Sequence, residues 1–187
     1  MRSKGALSIL ILLIVAGLAG CYGCTGYNSI VASDETVAQA WADVENQYQR
    51  RADLVPTLMD VVQSAASIDQ SLITAVKDAK KGVDGVRLTD TSDKPALDRY
   101  AEAQQQLSSS LSSLTSAIRD DQGLQSIEAH RDLLVQLEGT ENRIAVARRN
   151  YNDVVAEYNQ TVRRFPKNVV AGLFGFEPKP GFTAETK

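Results

Sequence analysis

The sequence has few of the residues on which catalysis and metal binding depend. Its 187 residues include one histidine and two cysteines, and it lacks a glycine-rich loop of the kind that cradles phosphates. A metal site needs several converging ligands, which the lone His130 cannot supply. The serines between residues 108 and 116 have no histidine at a recognised motif spacing. The sequence therefore predicts no catalytic residue, no metal site and no cofactor, and we expect a protein that is not an enzyme.

Proline and glycine are also scarce, and neither sign of charge dominates. Five prolines and 12 glycines leave few natural stops, which favours long helices over a many-stranded sheet. With 20 Lys and Arg against 23 Asp and Glu, the net charge is -3, so the basic field of a nucleic-acid-binding protein is missing. The length fits a single domain, at about 100–200 residues per domain.

The longest apolar run lies at the N-terminus and is typical of an export signal. Arg2 and Lys4 precede an apolar stretch over residues 5–20, which is shorter than the roughly 20 residues that span a bilayer comfortably. Residues 18–21 read LAGC and resemble the bacterial lipobox, in which the cysteine receives the lipid. We expect lipid attachment at Cys21. The alternative is an uncleaved membrane helix, and either anchor would hold the body at a membrane.

The second cysteine lies three residues after the first. Cys21 and Cys24 form a Cys-x-x-Cys pattern, but acylation of Cys21 would leave Cys24 without a partner in the chain. We therefore do not interpret the pair as a redox motif.

Apolar residues recur at helical spacing through the rest of the chain. Asp34 suits the start of the first helix, Pro56 lies within that helix as a kink, and Gly123 fits the break before the last one. At 1.5 Å per residue the first and last helices would be roughly 50 and 60 Å long. The pattern predicts helices over residues 34–65, 69–86, 95–118 and 124–165, with a polar loop at 88–94.

The expected fold class is all-α, an elongated antiparallel up-and-down bundle of about four long helices. An N-terminal anchor precedes the bundle and a short irregular tail follows it. The predicted boundaries are a signal peptide or anchor at 1–20, a tether at 21–33, the bundle at 34–165 and a tail rich in Pro and Phe at 166–187.

Three charged residues occupy positions on the apolar stripes. They are Arg51 on the first helix and Glu141 and Arg148 on the last. An unpaired buried charge is costly, so we predict a structural ion pair between Arg51 and Glu141. The alternative is that these side chains lie at the stripe edge and extend into solvent.

Several short motifs occur through the chain in a fixed order. They are YN at 27–28, AW at 40–41, QRRADLVP at 49–56, LEGTENRI at 137–144, ARRNYN at 147–152, YN at 158–159, RRFP at 163–166 and AGLFGF at 171–176. Together, from Tyr27 to Phe182, they resemble the LemA family in order and separation. The resemblance implies an antiparallel helical bundle held to the bacterial envelope by an N-terminal membrane segment, with no established enzymatic activity. Many relatives keep a plain transmembrane helix, whereas the LAGC motif of this chain resembles that of a lipoprotein subgroup.

All four phenylalanines fall near the C-terminus, at positions 165, 174, 176 and 182. Aromatic crowding in a non-periodic tail can form a docking surface, and we consider Phe174, Phe176 and Phe182 for that role. The alternative is a strap that packs back on the bundle, since exposed apolar patches are usually avoided.

These observations favour a non-enzymatic, membrane-anchored protein of the bacterial cell envelope. Its body is expected outside the cytoplasm, with the choice between outer and cytoplasmic membrane left open. We expect a scaffold or adaptor that binds another envelope protein. The alternative is self-assembly, in which the helical stripes extend between chains to form a homo-oligomer or coat at the membrane.

Overall fold

Six α-helices form the regular secondary structure of the residues that the computed structural model describes, which are 2–63, 67–88, 90–125 and 127–183. Within these ranges there is no strand, so the predicted all-α class is confirmed. The side chains of residues 2–12, 14–22, 63 and 125 lie outside the description. The helices are α1 (Arg2–Gln63), α2 (Gln70–Gly85), α3 (Lys94–Asp120), α4 (Gln122–Gln125), α5 (Glu128–Arg163) and α6 (Lys167–Phe174).

Helix α1 begins far earlier than the sequence pattern indicated. Asp34 lies inside α1 and does not start it, and the residues predicted as a tether, 21–33, are helical. Residues 21–33 have no apolar stripe of their own, but Gly26 and Ile30 within them are buried. Tertiary packing of this kind stabilises helices more than local propensity does. Pro56 lies within α1, as predicted.

Helices α2 and α3 begin at aspartate caps. The Asp69 carboxylate accepts a hydrogen bond from the Ser71 amide at 2.8 Å, and this bond holds the pKa of Asp69 below its usual value. The Asp93 carboxylate accepts one from the Ala96 amide at 3.3 Å. Both caps satisfy donors that a helix start leaves unpaired. The starts and the loop between the two helices lie within one or two residues of the predicted positions.

The predicted break at Gly123 is wrong, because Gly123 lies within α4. The chain breaks instead at Asp121, between α3 and α4. The Asp121 carboxylate accepts hydrogen bonds from the Ser67 hydroxyl and, at 3.0 Å, from the Leu124 amide. These bonds lower the pKa of Asp121. An aspartate that caps the next turn therefore ends α3 where the sequence suggested a glycine.

The tail contains helix α6, although we predicted it to be irregular. Pro166 directly precedes the helix, and Pro178 and Pro180 follow it, so none of them interrupts it. Gly175 ends α6 with φ +75°, a left-handed conformation that favours glycine. The Phe176 amide then donates to the Ala171 carbonyl at 2.9 Å.

The chain forms two compact units. The first comprises Met1–Gln39 and Val154–Lys179, and the second comprises Ala40–Asp153 and Pro180–Lys187. The buried apolar side chains of the first unit are Ile30, Val37, Val155, Tyr158, Val162 and Ala171. The core of the second unit is formed by Val55, Leu58, Met59, Val62, Ile68, Ile73, Val76, Leu107, Leu111, Leu114, Ile118, Leu124, Leu133, Leu134 and Leu137.

Apart from Leu13, the side chains of the predicted anchor at residues 1–20 and of the lipid site at Cys21 lie outside the described set. In the part of the chain that the structure describes, we find no helix with the length and apolar character needed to cross a membrane.

Candidate functional site

The second unit contains a buried arginine at the meeting point of α1, α3 and α5. Arg51, on the apolar stripe of α1, is 1% exposed. Its Nη1 donates to Glu141 Oε1 at 2.7 Å. Its Nη2 donates to the side-chain oxygen of Gln104 at 2.6 Å and to the Gln104 backbone carbonyl at 2.9 Å. The two residues predicted to pair are therefore in contact, and Gln104 is a third partner.

Glu141 connects this pair to solvent. Its second carboxylate oxygen accepts a hydrogen bond from the Ser108 hydroxyl at 2.9 Å, and its side chain is 39% exposed. Arg51 itself also lies against an aromatic ring, with its guanidinium carbon 5.4 Å from the centre of Tyr48. The charge of Arg51 is thus neutralised by a carboxylate that water still reaches.

The two terminal nitrogens of Arg51 are engaged beside a small cleft. A small cleft of about 110 Å³ borders Arg51, Gln104 and Glu141, but both terminal nitrogens of Arg51 already donate to protein oxygens. Nearby, burial raises the pKa of Tyr100, and its hydrogen bond with Gln104 partly opposes this effect. The arrangement therefore joins three helices through one buried charge.

Gln104 and Ser108 were not predicted as members of this network. Gln104 fills a gap in the apolar stripe of α3 and is buried, so its position on the stripe was a usable signal. Ser108 lies one turn further along α3, and nothing in the sequence distinguishes it from the neighbouring serines.

The second unit also contains an aromatic cluster around Phe182. The Phe182 ring stacks on Trp41 with centroids 5.9 Å apart and meets Tyr151 edge-on at 5.4 Å. The guanidinium carbon of Arg148 lies 4.7 Å from the ring centre, which is a cation–π geometry. Phe182 is 6% exposed, so it packs as the strap interpretation expects and is not available as a surface.

An asparagine holds the backbone of this segment. Asn152 Nδ2 donates to the Phe182 carbonyl at 3.1 Å, and the Phe182 amide donates to Asn152 Oδ1 at 2.8 Å. The Tyr151 hydroxyl donates to the Pro180 carbonyl at 3.3 Å. One side-chain amide therefore satisfies both backbone polar groups of Phe182, as a neighbouring strand would.

The same device occurs in the first unit. Asn159 Nδ2 donates to the Lys179 carbonyl, and the Lys179 amide donates to Asn159 Oδ1, both at 2.8 Å. The Lys179 ammonium lies 2.5 Å from Asp34 Oδ1 and 5.4 Å from the centre of the Tyr158 ring. Burial, together with the nearby Asp34 charge, raises the pKa of Tyr158 to about 12.

Neither asparagine was predicted as a site residue. The available signal was the Tyr-Asn pair that occurs at 151–152 and again seven residues later at 158–159. Seven residues are close to two helical turns, so such a repeat indicates one face of a helix. It does not show which segment that face binds.

The other two phenylalanines considered for docking lie in the first unit. The ring of Phe174 is 4.8 Å and that of Phe176 is 5.7 Å from the ring of Tyr27, measured between centroids. Phe176 is half-buried, whereas Phe174 is exposed. The structure thus separates the three candidates: Phe182 is internal, and Phe174 lies on a surface.

Cys24 is exposed on α1 and has a free thiol. His130 is half-buried near the start of α5, with Nδ1 3.2 Å from the Leu124 carbonyl oxygen. Across the described ranges, no three side chains of the metal-binding types converge. The contact that the structure gives for the His130 imidazole is with the backbone of the preceding turn.

Comparison with known proteins identifies relatives of this chain. Magnetosome proteins MamQ 1 and MamQ 2 of Paramagnetospirillum magneticum (strain ATCC 700264 / AMB-1) are each 24% identical to it over 172 residues. The match covers 81% of this chain and 62% of each relative, so the chain spans less than two thirds of their length.

The family comparison covers a similar share of the chain. The model of the LemA family matches residues 40–187, a range that includes the buried Arg51 network, both asparagine contacts and α6. The segments that resembled the family in the sequence from residue 40 onward all fall inside it. The chain belongs to the LemA family.

Proposed function

We propose that this protein is a membrane-anchored, non-enzymatic LemA-family protein of the bacterial envelope, which serves as a scaffold or adaptor for another envelope protein. The observation that carries the proposal is that α1, which covers Arg2–Gln63, continues without a break from position 21 into the core of the body. An anchor on Cys21, or in the apolar segment before it, is therefore attached directly to a core helix.

The LAGC sequence at residues 18–21 supports a lipoprotein anchor at Cys21. Acyl chains contribute about 0.8 kcal/mol per buried CH₂, so more than one chain gives stable attachment. An uncleaved apolar helix at residues 5–20 would anchor the same end of α1. In both cases the body lies outside the cytoplasm, and the family's bundle arrangement extends from the membrane.

The outer face of α5 in the second unit supports the adaptor role. Val135 and Val146 are large apolar side chains that are exposed there, and Gly139 between them is exposed as well. Their spacings of four and seven residues place them on one side of the helix. Protein-binding surfaces combine apolar with polar side chains, and we propose that this face, where exposed Asn142 lies between the two valines, binds the envelope partner.

The anchor is tested by the intact mass of the protein purified from its native membrane fraction. We expect a chain that starts at Cys21 and carries a lipid-sized increment, because the lipobox cysteine is both the cleavage and the acylation site. The Cys21→Ser variant should lose the increment. An unmodified chain that retains residues 1–20 would refute the lipoprotein anchor and leave a single-span protein.

The adaptor role is tested by photo-crosslinking in intact cells, with a photoreactive amino acid at Val135 or Val146. We expect an adduct heavier than this chain by the mass of a different envelope protein, since both side chains project from the proposed contact face. The matched control is Gln105, an exposed position on α3, which should give no such adduct.

Two other results would contradict the adaptor. An adduct of twice the chain mass would favour the self-assembled oligomer or coat. No adduct at either valine would show that the α5 face has no protein partner.

A further inference from the structure

Helix α6 exposes an apolar row to solvent in the first unit. The row comprises Val169 and Leu173, which lie one turn apart on α6, and Phe165, which lies in the turn just before the helix. All three are exposed, with Leu173 at 77% and Phe165 at 79%. Phe174 adjoins the end of the row and is exposed as well. A soluble protein seldom leaves neighbouring large apolar side chains uncovered without an interaction that uses them.

The opposite side of α6 is fixed against α1. Ala171 is buried, and a Cβ at Gly26 would lie 3.3 Å from the Val170 side chain, so α1 and α6 pack closely at this glycine. The Lys167 ammonium donates to the Ser29 hydroxyl at 2.7 Å. Helix α6 is therefore attached to the stretch of α1 that follows Cys21.

The distance along α1 places α6 close to the anchor. Tyr27, whose ring packs on Phe174, lies six residues after Cys21, which is about 9 Å at 1.5 Å per residue in a continuous helix. Amphipathic helices at membranes bury their apolar face about 5–10 Å into the headgroup and acyl boundary. The same end of α1 carries the anchor whether it is a lipid on Cys21 or the apolar segment before it.

The charges around α6 suit an anionic surface. Arg163 and Arg164, which directly precede the row, are exposed. No aspartate or glutamate occurs between residues 158 and 176, although the whole chain has a net charge of -3. Basic residues near a bilayer are attracted to anionic headgroups by about 1 kcal/mol each.

We propose that α6 is an interfacial helix, which inserts Val169 and Leu173, together with Phe165 from the turn before it, into the lipid headgroup layer beside the N-terminal anchor. This inference rests on the proposed membrane anchor and adds a second membrane contact to it. The inference assigns the exposed apolar side chains of α6 to lipid. The α5 face with Val135 and Val146 is left for the protein partner.

The test uses the full-length protein reconstituted into vesicles of phosphatidylcholine with about one-quarter phosphatidylglycerol, whose acyl chains carry bromine as a quencher. Leu173→Trp places a fluorophore in the row, and Val146→Trp is the matched control at an exposed position of α5. The native Trp41 is a constant background, because it lies 20 residues, or about 30 Å, beyond Cys21 along α1.

We expect bromine to remove about half of the emission that Leu173→Trp adds, because an interfacial side chain lies within reach of the quencher. The emission added by Val146→Trp should not change. Vesicle flotation separates this inference from the anchor proposal. Failure to float would refute the anchor, whereas protein that floats without quenching at position 173, or with equal quenching at both positions, would overturn the interfacial helix.

Discussion

Glu141→Ala is expected to destabilise the protein by about 3 kcal/mol, because it leaves the Arg51 guanidinium buried without a counter-charge. Arg51→Met is expected to cost less, about 1 kcal/mol, although it removes the other half of the same ion pair. Methionine fills much of the arginine volume without a charge, and Glu141, at 39% exposed, regains water. The remaining cost of Arg51→Met arises because the Gln104 side-chain oxygen loses its hydrogen-bond donor.

Equilibrium urea unfolding of the two variants and of the double variant measures this asymmetry. The double variant should cost less than the sum of the single changes, since the two residues form one network. If Arg51→Met proved as costly as Glu141→Ala, the network would not be dominated by the burial of the arginine charge. Equal and small effects would mean that the pair contributes as little as a surface ion pair.

Phe182→Ala is expected to cost about 3 kcal/mol, near the lower end for truncation of a buried phenylalanine. The change removes a ring that contacts Trp41, Tyr151 and Arg148, and it leaves a cavity among them. In a chain of this size the melting temperature should fall by about 10 °C. Thermal unfolding followed by circular dichroism measures the shift, and near-ultraviolet signals report the loss of packing around Trp41.

Phe165→Ala is the matched control, since it makes the same change at a position that is 79% exposed. Its effect should stay within about 0.5 kcal/mol. If Phe182→Ala also stayed within that range, the C-terminal segment would not be part of the folded second unit.

Much of the helical architecture could be predicted from the sequence, because caps and apolar periodicity are local signals. Asp69 and Asp93 cap α2 and α3 within one or two residues of the predicted starts. The start of α1 was missed since residues 21–33 have no stripe and become helical beside α6. Such a contact depends on a partner that lies about 140 residues away in the chain, and local pattern cannot show it.

The residues of the candidate site likewise fall into those that the sequence could indicate and those that it could not. Arg51 and Glu141 could be paired from the sequence because both charges interrupt apolar stripes, and Gln104 offered the same signal on α3. The four phenylalanines could not be sorted by pattern alone, because their segment has no period. Only the tertiary contacts distinguish Phe182, which Asn152 holds inside the second unit, from Phe174, which is exposed.

The unbroken course of α1 sets an angular relation between its anchor and its later side chains. Each residue of an α-helix turns the chain by about 100° and advances it by 1.5 Å. One residue inserted between Cys21 and Gly26 would therefore turn every later side chain of α1 by about 100° about the helix axis, relative to the anchor. Seven inserted residues would nearly restore the original facing, about 10 Å further along the axis. In this chain the number of residues after the anchor therefore sets the direction in which the later side chains of α1 face, as well as their distance from the anchor.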